Sequence, residues 1–542
     1  MKNYYFYFLV LLVLFGCNFK NSTEWISYNE DLEIKTNLDH SNERMRFKLI
    51  QSKYNDKNNW FKELNSDIYG FNEENYENLK SLILEKDIPS IQENIISGKL
   101  SYEKLVLFYL YRIKKIEFNQ STYLNSIISI NPNIIEEARE KDKKKPDSTF
   151  SLYGIPILLK DNINYEGLPT TAGSALLKEN IAENSFVTKK LKASGALILG
   201  KTNLSEWAYY FCIGCPLGYS AIGGQTLNPY GRKIFESGGS SSGSGAAISA
   251  NLSSVSLGSE TSGSILSPSS LNSIVGLKPT IGLVSRTGIV PISSTLDTSG
   301  PMTKNVIDNV IVFNSIMGFD SEDKYSKEKI EIDINKITNS SLKGVRLGVF
   351  KSLLNEPLYK EAIEKIKEAG GIIFEFDPPK IDFSGFRKIL DVDMKKELPE
   401  YLSSYSKVDS AIKNISDIIN YNLQDSLKRS PYGQGIFEGI VSDDTSIEEF
   451  KMLKVKLKKE GKRFFDESIN KNSLDAILSI NNYHAAYAAA AYYPCLTIPM
   501  GYRDSGLPTN LTFIGPSFSE NKLYQLGFAY ESLTKKRIPP LN

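Results

Sequence analysis

Two short clusters of serine and glycine are the part of the sequence best suited to covalent chemistry. One cluster spans residues 238–243 and contains Ser240, and the other spans residues 261–264 and ends at Ser264. Glycines let backbone amides point at a common spot, and acyl transfer needs such donors where a tetrahedral oxyanion forms. One serine hydroxyl can attack a carbonyl carbon while a second serine relays a proton. The clusters therefore predict an acyl-transfer site.

Histidine is scarce, so the base that activates such a serine must be sought among other side chains. The chain has two histidines, His40 and His484, which is also poor material for a metal centre. A lysine acts as a base when burial lowers its pKa. Lys160 follows the apolar run 153–159, which predicts a buried strand that ends at this lysine. Taken alone, Lys160 is better interpreted as an ion-pair partner of its neighbour Asp161, and only the serine clusters favour the base.

Two well-known motifs match the sequence but fit their context poorly. Residues 195–202 have the spacing of a nucleotide-binding P-loop, yet residues 196–199 are predicted to form a strand, where a phosphate site needs a loop. Residues 239–243 match the nucleophile elbow of α/β-hydrolases, with His484 downstream as the base. The residues before this second motif make a poor strand, and His484 belongs to a helical pattern. We reject both motifs, the second with more caution because His484 lies downstream, in the correct chain order for that fold.

Apolar periodicity predicts the elements that position these residues. Residues 101–115 form an amphipathic helix pattern, and residues 246–252 indicate a helix of small side chains before a strand at 255–257. The Ser/Gly-rich stretch 236–268 is therefore interpreted as packed backbone. Further predicted elements are a helix at 189–193, a strand at 196–199, a βαβ unit at 344–374, a helical region at 380–470, a helix at 485–491, a strand at 496–499 and a helix at 523–533. The alternation of helices and strands predicts an α/β fold.

Composition divides the chain into five parts. We predict a lipoprotein-type signal peptide at 1–17, a tether and peripheral N-terminal extension at 18–85, and a core that carries the motifs at 86–320. The βαβ unit and a helical elaboration over the core occupy 321–470, and residues 471–542 complete the core.

The first 17 residues have the pattern of an export signal. One lysine precedes an unbroken apolar run at 4–15, which is too short to span a bilayer and predicts a secretory signal. Leu14–Cys17 resembles the bacterial lipoprotein box, which implies that Cys17 is lipidated and that the protein is exported and anchored to the cell membrane. An uncleaved anchor or an ordinary secretory signal is the alternative.

Charge and the other cysteines identify no partner. Lysine plus arginine number 64 and aspartate plus glutamate 63, so no general field attracts nucleic acid. Cys212 and Cys215 have zinc-ligand spacing without a second pair of ligands. They predict either a small disulfide or two free thiols.

The motifs around Lys160 and the serine clusters resemble those of the amidase-signature family. The similarity covers about residues 86–320 and 475–540. It includes the segments 154–156, 160–162, 200–206, 223–225 with 228–229, the serine clusters 238–243 and 261–264, 276–280, 297–302 and 499–501. The resemblance implies a mixed central β-sheet covered by helices on both faces. Residues 282–292, with 258–261, look most similar to the peptide amidases that remove C-terminal amide groups.

The resemblance also implies the role of each catalytic residue. Lys160 corresponds to the base, Ser240 to the bridging serine and Ser264 to the acylated nucleophile. The oxyanion amides correspond to Thr261, Ser262, Gly263 and Ser264. Ser242 stands where many members have glycine, and Ser262 stands where many have glycine or aspartate. A serine at position 262 could restrict the backbone of the oxyanion loop.

We therefore expect an amidase that hydrolyses small or C-terminal peptide carboxamides through a serine acyl-enzyme, with no metal or organic cofactor. The sequence leaves the oligomeric state and the natural amide open. One alternative is the glutaminase (A) subunit of glutamyl-tRNA(Gln) amidotransferase, which would be cytoplasmic and have partner subunits. Another is a surface lipoprotein that keeps the fold without catalysis.

Overall fold

A large mixed sheet forms the centre of the protein. A computed structural model describes residues 24–408 and 411–540, so the predicted signal peptide and Cys17 lie outside the described residues. Within that part the strands are β1 Ile127–Ile130, β2 Pro156–Lys160, β3 Leu197–Thr202, β4 Tyr219–Ser220, β5 Gly224–Gln225, β6 Val255–Glu260, β7 Val275–Lys278, β8 Thr298–Thr303, β9 Arg346–Phe350, β10 Ile372–Phe376, β11 Ala476–Ile480, β12 Cys495–Tyr502 and β13 Pro508–Ile514.

Eleven of these described strands form one sheet in the order β1-β3-β2-β6-β8-β7-β12-β13-β11-β9-β10, and β4 pairs with β5 separately. Strand β2 runs parallel to both neighbours, β3 and β6. Strand β9 is likewise parallel to β10 and β11. Between these two parallel regions, the pairs β6–β8, β8–β7, β7–β12 and β12–β13 are antiparallel. A parallel strand inside a sheet is buried on both faces, which explains the continuous apolar run of β2.

Helices cover both faces of this sheet. The described helices are α1 Asp31–Thr36, α2 Asn65–Tyr69, α3 Glu73–Ile83, α4 Ile88–Ile96, α5 Tyr102–Glu117, α6 Ile134–Asp142, α7 Phe186–Ala193, α8 Ser242–Ser249, α9 Leu266–Leu271, α10 Val306–Ile316, α11 Ile334–Thr338, α12 Pro357–Glu368, α13 Phe386–Ser404, α14 Ile415–Leu423, α15 Ser426–Arg429, α16 Gly435–Ser442, α17 Ile447–Asn472, α18 Ala485–Ala491 and α19 Glu520–Thr534.

Strand β12 shows the two-faced packing directly. Gly527 of α19 lies against Leu496 and Ile498, whereas Ser270 of α9 is within 3.1 Å of the hydroxyl of Thr497. Because successive side chains of a strand point to opposite faces, α19 and α9 lie on opposite sides of the sheet. The predicted fold class is confirmed.

Most predicted elements are present with shifted ends. The βαβ unit is formed by β9, α12 and β10, and the Ser/Gly-rich stretch is packed backbone that contains α8 and β6. The predicted strand at 196–199 extends as β3 to Thr202. Within the described residues, no helix is both apolar enough and long enough to cross a membrane.

The N-terminal extension is not wholly peripheral, contrary to the sequence-based expectation. Trp60, Phe61 and Tyr76 belong to the main hydrophobic core. Lys57 is buried and lies 3.1 Å from the buried Glu117. Burying scattered aromatic side chains is favourable, so this polar segment packs against the sheet domain despite its composition.

The helical region from α13 to α17 adds a second hydrophobic cluster beside the sheet. Met394, Leu398 and Phe437 of this region pack with Trp207 and Phe211. Trp207 immediately follows Glu206 in the segment after β3. The region therefore lies next to the end of the sheet where Lys160 emerges.

Candidate active site

Strand β2 delivers Lys160 into the interior, next to both serine clusters. The side chain is fully buried, and its Nζ lies 2.7 Å from Ser240 Oγ. It also lies 2.9 Å from Ser259 Oγ and donates to the Ser259 carbonyl oxygen at 3.1 Å. In the described part of the chain no carboxylate forms an ion pair with Lys160. The lysine thus contacts neutral oxygens.

These surroundings favour the uncharged amine. Burial lowers the pKa of Lys160 to about 7, and the Coulombic influence of Asp297 and Glu260 counteracts that decrease. A large fraction of the side chain is therefore neutral near pH 7, as a general base requires.

The alternative pairing of Lys160 with Asp161 is wrong. Asp161 Oδ1 lies 3.0 Å from Lys201 Nζ instead, and both of these side chains are fully buried. Asp161 also accepts hydrogen bonds from the amide and the hydroxyl of Thr171. Lys201 stands in β3, as do residues 197–202 of the P-loop match, so this segment is a strand and its lysine is engaged within the protein.

Ser240 is held between Lys160 and the second cluster. The Ser240 side chain is fully buried, and the following amide, that of Ser241, donates to the carbonyl oxygen of Ser264 at 3.1 Å. Helix α8 begins directly afterwards and packs closely because its residues are small. A Cβ atom at Gly243 would lie 2.4 Å from the carbonyl oxygen of Ser126, so glycine is required there.

Ser264 stands in the loop between β6 and α9 and is partly exposed. Glu260, at the end of β6, accepts amide hydrogen bonds from Gly263 at 2.7 Å, Ile265 at 2.6 Å and Leu266 at 2.9 Å. Burial raises the pKa of Glu260. The buried carboxylate thus fixes the loop that carries Ser264.

This arrangement corrects the prediction that the Gly263 amide is an oxyanion donor. The amide of Gly263 is used by Glu260, because a buried carboxylate needs hydrogen-bond donors. Among the described residues, the amides of Thr261, Ser262 and Ser264 have no acceptor. Gly263, with φ of 92°, takes the left-handed conformation, so the serine at position 262 is not forced into it.

Sequence reasoning did not assign roles to three further residues of the site. The hydroxyl of Ser259 accepts from Lys160 and, at 2.9 Å, from Asn162 Nδ2. Asp297 accepts from the hydroxyl of Thr261 at 2.5 Å and from the amides of Ile292 and Ser293 at 2.8 and 2.9 Å. Asn162, Ser259 and Asp297 all lie in segments that resemble the family. This resemblance was the sequence signal that could have identified them.

His484 does not serve the serine clusters. Its Nδ1 lies 2.6 Å from Ser479 Oγ, and its ring stacks on Phe350 with centroids 3.9 Å apart. Burial lowers its pKa to about 4. The nucleophile-elbow alternative therefore lacks its base. Cys212 and Cys215 form a disulfide, which resolves the choice between a disulfide and free thiols.

A cavity of about 300 Å³ opens beside the buried lysine. Its inner wall includes Asn162, Ser259 and Thr261, and its other walls come from residues 286–298, the loop at 322–324 and helix α13. The volume suits a small ligand or one side chain of a larger ligand. A substrate here would lie against the residues that hold Lys160 and the Ser264 loop.

A family model described as Amidase matches residues 104–487. The chain therefore belongs to the amidase family, and it is an amide-hydrolysing enzyme with the amidase-signature fold.

Individual relatives agree with this assignment. A probable amidase of Arabidopsis thaliana is 37% identical over 478 residues, which cover 84% of this chain and 92% of the relative. The (A) subunit of glutamyl-tRNA(Gln) amidotransferase from Thermoanaerobacter pseudethanolicus is 31% identical over 485 residues, which cover 84% and 97%.

Solved structures show the same fold. An amidase family protein from Bacillus anthracis superposes with a TM-score of 0.84 at 34% identity, covering 91% of this chain and all of that one. The native peptide amidase from Stenotrophomonas maltophilia gives a TM-score of 0.78 at 33% identity, covering 84% and 98%. The similarity to the peptide amidase type, predicted from sequence, is confirmed.

Proposed function

We propose that the protein hydrolyses carboxamides through a Lys160–Ser240–Ser264 triad. The observation that carries the proposal is the 2.7 Å contact between the buried Lys160 Nζ and Ser240 Oγ. Neutral Lys160 takes the Ser240 proton while Ser240 takes the Ser264 proton, and Ser264 Oγ attacks the carbonyl carbon. The C–N bond then breaks, and the relayed proton leaves with ammonia or an amine.

Water completes the cycle by the same relay. The water oxygen attacks the acyl carbon as a water proton passes through Ser240 to Lys160. The same proton returns through Ser240 to Ser264 Oγ as the ester bond breaks and the carboxylic acid is released. The amides of Thr261, Ser262 and Ser264 have no acceptor within residues 24–408 and 411–540, which supports a role as donors to the oxyanion in both steps.

Replacing Ser264 with alanine tests the nucleophile. The Ser264→Ala variant should lose at least about 10⁴-fold in kcat, because no acyl-enzyme can form. Ser442, which is exposed on α16, provides the control substitution Ser442→Ala. Fluorophosphonate labelling of Ser264 in the native protein would exclude the non-catalytic alternative, whereas retained turnover by Ser264→Ala would rule the triad out.

For the substrate, we favour small amides or C-terminal peptide amides over glutamine. The similarity to the Stenotrophomonas maltophilia peptide amidase over nearly all of its length supports this choice. The 31% sequence identity to the amidotransferase (A) subunit supports the glutaminase as the alternative. A panel of peptide amides, simple carboxamides and glutamine decides between them, with partner subunits sought by co-purification.

We further propose that the protein is exported and lipid-anchored through Cys17. The basic start, the apolar run and the Leu14–Cys17 segment support this, and the Cys212–Cys215 disulfide is typical of an oxidising compartment. Metabolic labelling with a fatty acid should mark the native chain and not a Cys17→Ala variant. A wholly cytosolic, unlabelled native protein would refute the anchor.

A further inference from the structure

The cavity beside Lys160 is rich in carboxylates. Its charged lining residues are Asp297, Glu322, Asp323, Glu397 and Glu400 against Arg286 and Lys324. We call this space the acidic cavity. Negative charge therefore exceeds positive charge around the space where a substrate of the proposed reaction would lie.

Arg286, one of the two basic groups in the wall, is already engaged. Its guanidinium forms an ion pair with Asp323 and donates to the carbonyl oxygen of Ser294. Lys324 is exposed, and its Nζ lies 5.2 Å from the ring centroid of Tyr325. These contacts leave the carboxylates of α13 and of the loop at 291–298 to face the cavity.

Among the described residues that line the acidic cavity, Glu397 on α13 is a buried carboxylate with an unused oxygen. The residue is 9% exposed, and its Oε2 accepts from the amide of Ser294 at 2.6 Å. Its Oε1 has no partner among the residues that the structure describes. Asp297, in contrast, is held by three donors. Glu397 is thus the wall residue placed to receive another hydrogen-bond donor.

Asn162 is a second wall residue with an acceptor atom to which none of the described residues donates a hydrogen bond. Asn162 is 3% exposed and lines the acidic cavity. Its Nδ2 donates to Ser259 Oγ at 2.9 Å and to the carbonyl oxygen of Val290 at 3.4 Å, which identifies the nitrogen, because a carbonyl oxygen only accepts. In the part of the chain that the structure describes, its buried Oδ1 has no partner. A buried acceptor without a partner is costly, and a ligand N–H would satisfy it.

We infer that the acidic cavity is a specificity site for amide substrates that carry an ammonium or guanidinium group, with Glu397 as the charge partner and Asn162 Oδ1 as a second acceptor. The inference rests on the proposed amide hydrolysis. The chemical class is the amide of a basic amino acid, such as a peptide that ends in lysinamide or argininamide.

The charges around Glu397 define when this attraction operates. Burial raises the pKa of Glu397 to about 7, and the nearby Asp393 and Asp297 contribute to the increase. Asp393 is on the same helix, Asp297 is on the facing loop, and Arg286 is the basic group that interacts with Glu397. Glu397 is thus deprotonated more fully as pH rises from 6 to 8. The preference for a cationic substrate should increase over that interval.

The test compares Nα-acetyl-lysinamide with Nα-acetyl-norleucinamide, which has a neutral side chain of similar length. With the purified full-length protein, kcat/KM for the lysine compound should exceed that for the norleucine compound by about tenfold or more at pH 8. The ratio should decrease toward pH 6. Titration of Lys160 affects both substrates and cancels in the ratio. A ratio near one at pH 8 overturns the inference.

Two matched variants localise the effect. Glu397→Gln keeps an acceptor for the Ser294 amide and removes the charge, so the substrate ratio should decrease about tenfold and lose its pH dependence. Glu438→Gln removes the same charge at an exposed position on α16 that does not line the acidic cavity. It should change the ratio less than about twofold. Equal losses in the two variants overturn the assignment to Glu397.

A binding measurement separates this inference from the proposed reaction. Calorimetry with Ser264→Ala and the same two amides reports on the acidic cavity without turnover. Selective binding of the lysine compound upholds the specificity site, whether or not the native protein hydrolyses either amide. If the native protein hydrolyses neither amide, that result refutes the proposed function alone. Hydrolysis of both amides with equal affinities overturns the specificity site alone.

Discussion

Lys160 and Lys201 are both fully buried on neighbouring parallel strands, but they have different partners. Lys201 Nζ lies 3.0 Å from Asp161 Oδ1, whereas Lys160 Nζ contacts oxygens of Ser240 and Ser259. Burial lowers the pKa of both lysines; the contacting carboxylate counteracts this at Lys201, and only more distant carboxylates do so at Lys160. A buried lysine therefore suits base catalysis only when its immediate partners are neutral.

Replacing Lys160 with Met should break the comparison most strongly. The change removes the proposed base, so kcat should decrease by about 10⁴-fold or more. It also removes an amine that is harder to charge in the folded state than in the unfolded chain. The free energy of unfolding at pH 7 should therefore not decrease.

Steady-state hydrolysis of a simple amide and urea unfolding measure these two effects. If Lys160→Met kept more than about a tenth of the native kcat, the lysine would have no essential role as base.

Replacing Lys201 with Met should affect stability first. The change leaves Asp161 as a buried carboxylate without its counter-charge, so the free energy of unfolding should decrease by about 3–5 kcal/mol. The double variant Lys201→Met/Asp161→Asn removes both charges and should recover part of that loss. Urea unfolding of the single and double variants provides the measurement. Native stability in Lys201→Met would show that the buried ion pair contributes nothing.

The smallest expected effect is on the pH dependence of kcat/KM, which tests whether Lys160, unlike Lys201, acts as a base. A neutral lysine is the active form, so activity on a neutral amide should increase with pH and level off above about 7. Ser259→Ala removes an oxygen that stabilises the protonated amine, so the midpoint should move to lower pH by less than about one unit. Initial rates between pH 5 and 9 measure both midpoints. A midpoint near 10, or a shift to higher pH in Ser259→Ala, would contradict this account.

The same lysine makes the folded state sensitive to pH. Its pKa is about 7 in the folded protein, against the usual lysine value of 10.5, so unfolding takes up a proton between these pH values. The lysine therefore destabilises the folded state fully below pH 7, and this penalty is relieved as pH rises toward 10.5.

The sequence predicted the elements around the site well where apolar patterns are strong. The run at 153–159 correctly indicated a buried strand that ends at Lys160, because a parallel interior strand is apolar on both faces. The rejection of the P-loop match was correct for the same reason, since β3 occupies that segment. The small residues of 246–252 correctly indicated part of a packed helix.

Other features depend on contacts between distant residues. Asp161 is adjacent to Lys160 in sequence, but it lies just after the end of β2, and its ion-pair partner Lys201 comes from β3. The use of the Gly263 amide by Glu260 depends on how the loop folds back. The packing of Trp60 into the core could not be read from a polar segment without apolar periodicity.

The sequence by itself determined the residue types, their spacing and the strand that carries Lys160, because local periodicity and motif spacing are properties of the chain alone. The tertiary structure decided which oxygen each buried amine meets, which backbone amides stay unpaired and which carboxylates line the acidic cavity. Those properties depend on solvent exclusion and on distances of a few ångströms between segments far apart in sequence, and burial with specific partners sets the charge state of each group.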